Sequence, residues 1–241
     1  MPADAKPGDY SGSVSVSGDG DEKFSIPFSI AIKDIEIPTV PTLRTAFGIN
    51  YGDIREAHKA EKGSREEKIL WDKYYWFLVE HRLSPYAIPV DLFSDEAHKY
   101  LDDPRVNYLR PPYPGDDNEL KKVIDLLKST GWDKKAVYYV RDEPTLEGMK
   151  EVTRIGQRLK SFDPDIKYLI TTGGTKNLKD ANIDVWCPSL QFTADPNSMR
   201  YIGNELKKGK QFWWYTCIGP KWPGTTYFID EAGTAPRSLP W

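Results

Sequence analysis

Beyond Pro41 the hydrophobic pattern changes period: short apolar runs of strand length alternate with apolar stripes at helical spacing, the order that builds βα units around a parallel sheet. Strand candidates cover 45–50, 84–90, 106–109, 136–141, 167–172, 185–190 and 211–217, seven in all. The helices between them carry signals of their own. Ser64-Arg65-Glu66-Glu67 has the form of a capping box and predicts a helix running to His81, with Leu70, Tyr74, Phe77 and Leu78 on its core face. Leu120, Val123, Ile124 and Leu127 form a second stripe, closed by Gly131, and Leu146, Met149, Val152, Ile155 and Leu159 form a third. Asp195-Pro196 opens a fourth helix that Gly209 ends. The order fits an α/β fold of the (β/α)8 TIM-barrel type, expected to be truncated before strand 8 because the sequence stops at Trp241, where that strand is due. A doubly wound sheet would need a glycine-rich phosphate turn after its first strand, and the sequence has none there.

Before Pro38 the pattern is β throughout. Residues 11–17 alternate, Gly18-Asp19-Gly20-Asp21 turns, and 24–37 carries a second alternating stretch, so a hairpin is expected. A lone hairpin cannot bury its apolar face, so it should either dock on the rest of the chain or be the tail of a sandwich domain. Pro38-Thr39-Val40-Pro41 is the natural linker, which divides the chain into 1–38 and 39–241.

A net charge of -3, with 33 basic and 36 acidic residues interspersed, leaves no electrostatic footprint for nucleic acid, and no segment approaches a membrane span. Two cysteines, Cys187 and Cys217, make neither a disulfide framework nor a zinc site; they lie near the ends of adjacent strands, where a bond is geometrically possible and free thiols are favoured. His58, His81 and His98 lack ligand spacing, so no metal and no cofactor is expected. Residues 1–10 show neither a basic n-region nor an apolar h-region, so no secretion signal is expected in this chain.

The chemistry concentrates at Asp142-Glu143-Pro144, which follows the apolar run Ala136-Val137-Tyr138-Tyr139-Val140. In a barrel, strand C-termini converge on one mouth. Asn50 and Tyr51 end the first strand, Arg141 directly precedes the acidic pair, Trp186 and Gln191 belong to the sixth strand, and Trp213, Trp214 and Tyr215 lie along the seventh. These are the candidate substrate contacts, and the 13% aromatic content suits stacking on sugar rings. Side chains alternate, so Trp214 and Tyr215 cannot both face the mouth. Glu143 is the candidate proton donor to a glycosidic oxygen, kept protonated by the adjacent carboxylate and by partial burial. Sequence neighbours diverge on a strand, which suits Asp142 less as a nucleophile than as the group orienting a 2-acetamido substituent that attacks its own anomeric carbon. Tyr215 could then hold the acetamido oxygen. Two alternatives stay open: a two-carboxylate retaining glycosidase, with a further acid about 5 Å from Glu143, and a non-catalytic or inactive carbohydrate-binding barrel fragment that self-associates through its open edge.

Several stretches, in order, resemble glycoside hydrolase family 123. Tyr138-Tyr139-Val140-Arg141-Asp142-Glu143-Pro144 resembles its catalytic strand end, with Arg141 departing from the apolar or aromatic residue usual there. Pro7-Gly8-Asp9-Tyr10-Ser11-Gly12 and the strand after it resemble the last strands of the family's N-terminal β-sandwich, and Glu80-His81-Arg82-Leu83-Ser84-Pro85-Tyr86 the approach to its second barrel strand. Asp184-Val185-Trp186-Cys187-Pro188 and the stretch Trp213 to Pro220 resemble its sixth and seventh strands, and Phe228-Ile229-Asp230 with Arg237 and Trp241 the approach to its eighth. The resemblance implies a secreted or periplasmic exo-β-N-acetylgalactosaminidase acting on glycans or glycoconjugates. Asp142 would orient the acetamido group and Glu143 would be the general acid/base. It also implies an eighth strand and a C-terminal β domain.

Overall fold

The structure is a computed structural model that describes residues 4–18, 23–173, 175–217 and 219. The chain forms two compact units, Met1–Thr39 and Val40–Trp241. In the first, β1 (Gly8–Ser17) and β2 (Lys23–Ile32) pair antiparallel, from Gly8 opposite Ile32 to Ser17 opposite Lys23. The period of two sorts the side chains. Tyr10, Val14 and Val16 share a face with Phe24, Ile26, Phe28 and Ile30, while Ser11, Ser13 and Ser15 take the other. Gly12 lies opposite Phe28, whose ring would come within 2.7 Å of any Cβ there. Of the expected turn, Asp19, Gly20 and Asp21 lie outside the described residues.

The second unit is mixed α/β. Its helices are α1 (Tyr51–Ala57), α2 (Arg65–Glu80), α3 (Ala97–Leu101), α4 (Asp117–Thr130), α5 (Met149–Phe162) and α6 (Pro196–Leu206). β3 (Leu169–Ile170), β4 (Val185–Trp186) and β5 (Gln211–Phe212) form a parallel sheet in that order. Isolated parallel bridges extend the series: Phe47 to Pro85, Leu109 to Ala136, Tyr138 to Tyr168, and Ser189 to Tyr215 beyond the sheet. The amide of Arg110 donates to the Tyr86 carbonyl at 3.0 Å, joining the second β-segment to the third. Neighbours in sequence are therefore neighbours in space. The ladders are much shorter than the strands expected from sequence, and prolines are one reason: Pro85, Pro111 and Pro188 interrupt these segments and offer no N–H.

Alternation along each segment separates two environments. Tyr108, Val137, Leu169, Val185 and Cys187 form one buried cluster, with Tyr86, Tyr139, Trp213 and Tyr215 packed against it. The intervening residues Tyr138, Tyr168, Ile170 and Trp186 pack instead with Leu120 and Ile124 of α4, Val152, Ile155 and Leu159 of α5, and Ile202 of α6. Leu109 and Ala136 join Tyr75, Val79, Tyr100, Val123 and Leu127. One set of alternate residues thus packs against the helices, and the other packs against its own kind.

The caps behave largely as their sequences require. Gly131 closes α4 at φ 77°, and Asp195 accepts from the Asn197 and Ser198 amides with Pro196 at the first turn of α6. Ser64 accepts from the Glu67 amide at 3.1 Å, but Glu67 returns to the amide of Gly63 at 2.6 Å, one residue before the partner of a standard capping box. The core face of α2 differs from expectation. Tyr75 and Val79 are buried, whereas Tyr74 and Phe77 are 41% and 58% exposed. Apolar residues run almost unbroken from Ile69 to Val79, so periodicity fits more than one face and only packing selects between them. Leu146, assigned to the third stripe, is 74% exposed because α5 begins three residues later, at Met149.

Candidate active site

The inward-facing alternation delivers Tyr139 to the end of the fourth β-segment, with Asp142 and Glu143 just beyond it. Among the described residues, three hydroxyls hold this pair. The Tyr139 hydroxyl donates to Asp142 Oδ1, and Thr171 Oγ1, two residues after Leu169 on the neighbouring segment, donates to the same oxygen at 2.9 Å. Thr171 Oγ1 also accepts the Glu143 amide at 2.9 Å, so a single hydroxyl is bonded to both residues. From the seventh segment the Tyr215 hydroxyl donates to Glu143 Oε1. Glu143 adopts φ 33°, a region that a residue with a Cβ occupies at a cost of about 1–3 kcal/mol. The Thr171 bond to its amide helps hold that conformation.

Burial and the hydrogen bond to Asp142 push the Tyr139 phenol well above its ordinary pKa; burial and the bond to Glu143 do the same for Tyr215. Both phenols therefore stay protonated around neutral pH and act as donors to the acids. The partial burial expected of Glu143 is not found: Asp142 and Glu143 are both exposed, the chain having left the segment for an open turn.

The other candidates divide. Trp213 faces inward, 5.7 Å from the Tyr108 ring, in the cluster that also contains Tyr139 and Tyr215. Trp214 points away and is 43% exposed. Trp186 is 1% exposed, on the helix side and edge-on to Tyr201 of α6, so it packs the core and offers no platform to a sugar. Asn50 caps α1, its Oδ1 accepting from the Gly52 and Asp53 amides. Tyr51 donates to the Ala87 carbonyl at 2.7 Å and packs on Trp71, which commits both residues to structure. Arg141 turns towards α5 and pairs with Glu151 at 3.5 Å. Gln191 is exposed, and its Oε1 lies 2.8 Å from where a Cβ on Gly219 would sit. No disulfide joins Cys187 to Cys217, and burial raises the Cys187 thiol to about 12. Among the described residues no cluster of His, Cys, Asp and Glu could hold a metal ion. Ile218, Pro220 and the stretch from Phe228 to Trp241 lie outside the described residues.

Tyr139, Thr171, Arg110 and Tyr86 are not among the candidates that the sequence singles out. The signal is present for the first two. Counting alternation from Val137 puts Tyr139 inward, and Thr171 stands at the C-terminal end of a strand candidate, the same kind of position that marks Asn50 and Gln191.

The model of the glycoside hydrolase 123 catalytic domain matches residues 89–241. Among solved structures, the chain is similar to a family 123 glycoside hydrolase from Clostridium perfringens, described in work on glycolipid glycan hydrolysis, with TM-score 0.64 and 15% identity. The match covers 93% of this chain and 52% of that one, so the chain spans about half the length of that relative, and at this identity the likeness is one of fold. A β-glucuronidase from Parabacteroides merdae, at TM-score 0.36 and 11% identity over 86% of this chain and 30% of its own, is too distant to carry an argument. No curated protein matches the chain.

Proposed function

The chain belongs to glycoside hydrolase family 123, and from that membership we propose that it removes terminal β-linked N-acetylgalactosamine by a retaining, acetamido-assisted mechanism. We take the consecutive parallel β-segments as those of a (β/α)8-type barrel over 39–241, and the hairpin as the end of an N-terminal β-sandwich. One observation carries the mechanistic reading: the two adjacent carboxylates have different hydrogen-bond partners. Among the described residues, both hydroxyls on Asp142 use Oδ1, which leaves Oδ2 for the substrate's acetamido N–H. Glu143 is held by Tyr215, which belongs to a different segment.

In the first step the acetamido carbonyl oxygen attacks the anomeric carbon as the glycosidic C–O bond breaks, and Glu143 gives its proton to the departing oxygen. Positive charge spreads over the acetamido nitrogen, where Asp142 stabilises it. Glu143, now a carboxylate, removes a proton from water, which opens the cyclic intermediate from the β face and restores the original configuration. Tyr215 takes the acetamido oxygen, with Glu143 as its resting partner, and Trp213 stacks on the apolar face of the sugar. The two-carboxylate alternative requires a further acid about 5 Å from Glu143, whereas among the described residues the side chains bonded to the pair are hydroxyls. Among the described residues no helix is long and apolar enough to cross a membrane.

The reading is tested with a matched pair of substrates. An aryl β-N-acetylgalactosaminide should be hydrolysed, an aryl β-galactoside should resist, and a thiazoline mimic of the cyclic intermediate should inhibit. Equal cleavage of the two would refute acetamido assistance. Thr171→Val keeps the side-chain shape and removes the hydroxyl bonded to the Asp142 carboxylate and the Glu143 amide. Since a hydrogen bond to a charged group contributes about 1.5–3 kcal/mol, kcat should fall roughly tenfold to a hundredfold with KM changing little, and Tm should fall by roughly 3–12 °C.

A further inference from the structure

Arg110 ends the third β-segment two residues after inward-facing Tyr108, and its guanidinium carbon lies 4.9 Å from the centroid of the Tyr139 ring and 5.5 Å from that of Tyr86. The aromatic faces balance part of its charge but accept no N–H in a directed hydrogen bond. Arg105 is paired with Asp103, Arg141 with Glu151, and Arg158 with Asp117 and two backbone carbonyls, whereas Arg65, Arg154 and Arg200, which have no such partner among the described residues, are exposed to water. Among the described residues no carboxylate or carbonyl accepts from the Arg110 guanidinium, although it is half-buried. A half-buried cation whose fork of donors is unused is matched to an oxyanion, which guanidinium binds in a bidentate manner. Its position adds to this. Tyr139, under the guanidinium, is bonded to Asp142, so Arg110 stands one tyrosine ring from the acidic pair. Two carboxylates alone would repel an anionic sugar, and Arg110 opposes that repulsion at close range.

We propose that Arg110 is an anion-recognition residue of the sugar site, selecting glycans that carry an oxyanion: a sulfate ester on the acetamido sugar or a carboxylate on the sugar that leaves. The inference rests on the glycosidase reading of Asp142 and Glu143. It is tested on two pairs of substrates, an aryl β-N-acetylgalactosaminide with and without a ring sulfate, and the same sugar β-linked to a uronate or to its carboxyl-reduced counterpart. One anionic member should exceed its neutral partner in kcat/KM by about tenfold or more, the effect of one charge-assisted pair. Which pair shows the preference identifies the source of the oxyanion. The ratio should approach one in Arg110→Met, keep part of its value in Arg110→Lys, and shrink as salt is raised. No anionic preference in the wild type would overturn the inference. So would a ratio that persists in Arg110→Met, or equal losses on both members of a pair, which would make Arg110 only a support for Tyr139. If the Met variant does not fold, the Lys variant decides on the same ratio. If the wild type hydrolyses none of the four, the glycosidase reading fails, and calorimetry with the same compounds decides separately. Tighter binding of an anionic member that is lost in the variant supports recognition by Arg110, and equal binding refutes it.

Discussion

Replacing Glu143 with Gln should lower kcat/KM on an aryl β-N-acetylgalactosaminide by about 10²–10⁴, the range that a positioned acid/base contributes. The substitution leaves an acceptor for the Tyr215 hydroxyl and keeps the shape, so the loss reports the missing proton rather than a disturbed turn. Two further readouts separate this from a structural effect. The deficit should narrow as the aryl leaving group becomes more acidic, because such a group departs without protonation. In Glu143→Ala, azide should restore turnover and give the β-glycosyl azide, since azide needs no base to attack. Asp142→Asn should also be severely impaired, but neither a better leaving group nor azide should rescue it. Full activity of Glu143→Gln would remove the proposed mechanism altogether.

Gly156→Ala should destabilise the protein by about 3 kcal/mol or more, at the upper end of overpacking effects. Gly156 lies in α5, where a Cβ would come within 1.8 Å of the Ala181 carbonyl oxygen and 3.2 Å of Tyr168 Cδ1. The first contact is with backbone and cannot be relieved by rotating a side chain. Helix propensity pulls the other way, favouring alanine over glycine by up to about 1 kcal/mol, and the clash exceeds it. For a chain of this size the melting temperature should fall by roughly 6–12 °C. A variant that melts at or above the wild-type temperature would show that α5 does not pack as closely on the 181 turn as the structure has it.

The helices were legible because their signals are local. Gly131, the Asp195-Pro196 start of α6 and the α4 stripe require only neighbours within a turn or two, and each is found in place. α2 was harder because its aromatic residues surround the axis, so Tyr74 and Phe77 looked as suitable for the core as Tyr75 and Val79. The short β-segments were legible in position but not in extent, since a ladder depends on the partner's register and donors. For the same reason Asn50 and Tyr51 were open to a binding role: nothing in the sequence shows that the amide oxygen of Asn50 is occupied by the start of α1.

At the site itself, the sequence determined which atoms are available. Asp142 and Glu143 must be adjacent, they must follow an apolar run, and strand alternation must separate Trp214 from Tyr215. The tertiary structure decided what those atoms touch. Thr171 is separated from Asp142 by 29 residues and Tyr215 from Glu143 by 72, yet their hydroxyls bond the two acids. Arg110 reaches the ring of Tyr139 from a different segment again. Hydrogen bonds and ring contacts act over a few ångströms in space whatever the chain distance between partners. The carboxylate pair could therefore be found along the chain, while the hydroxyls that hold it and the cation beside it emerge only when the parallel segments are brought side by side.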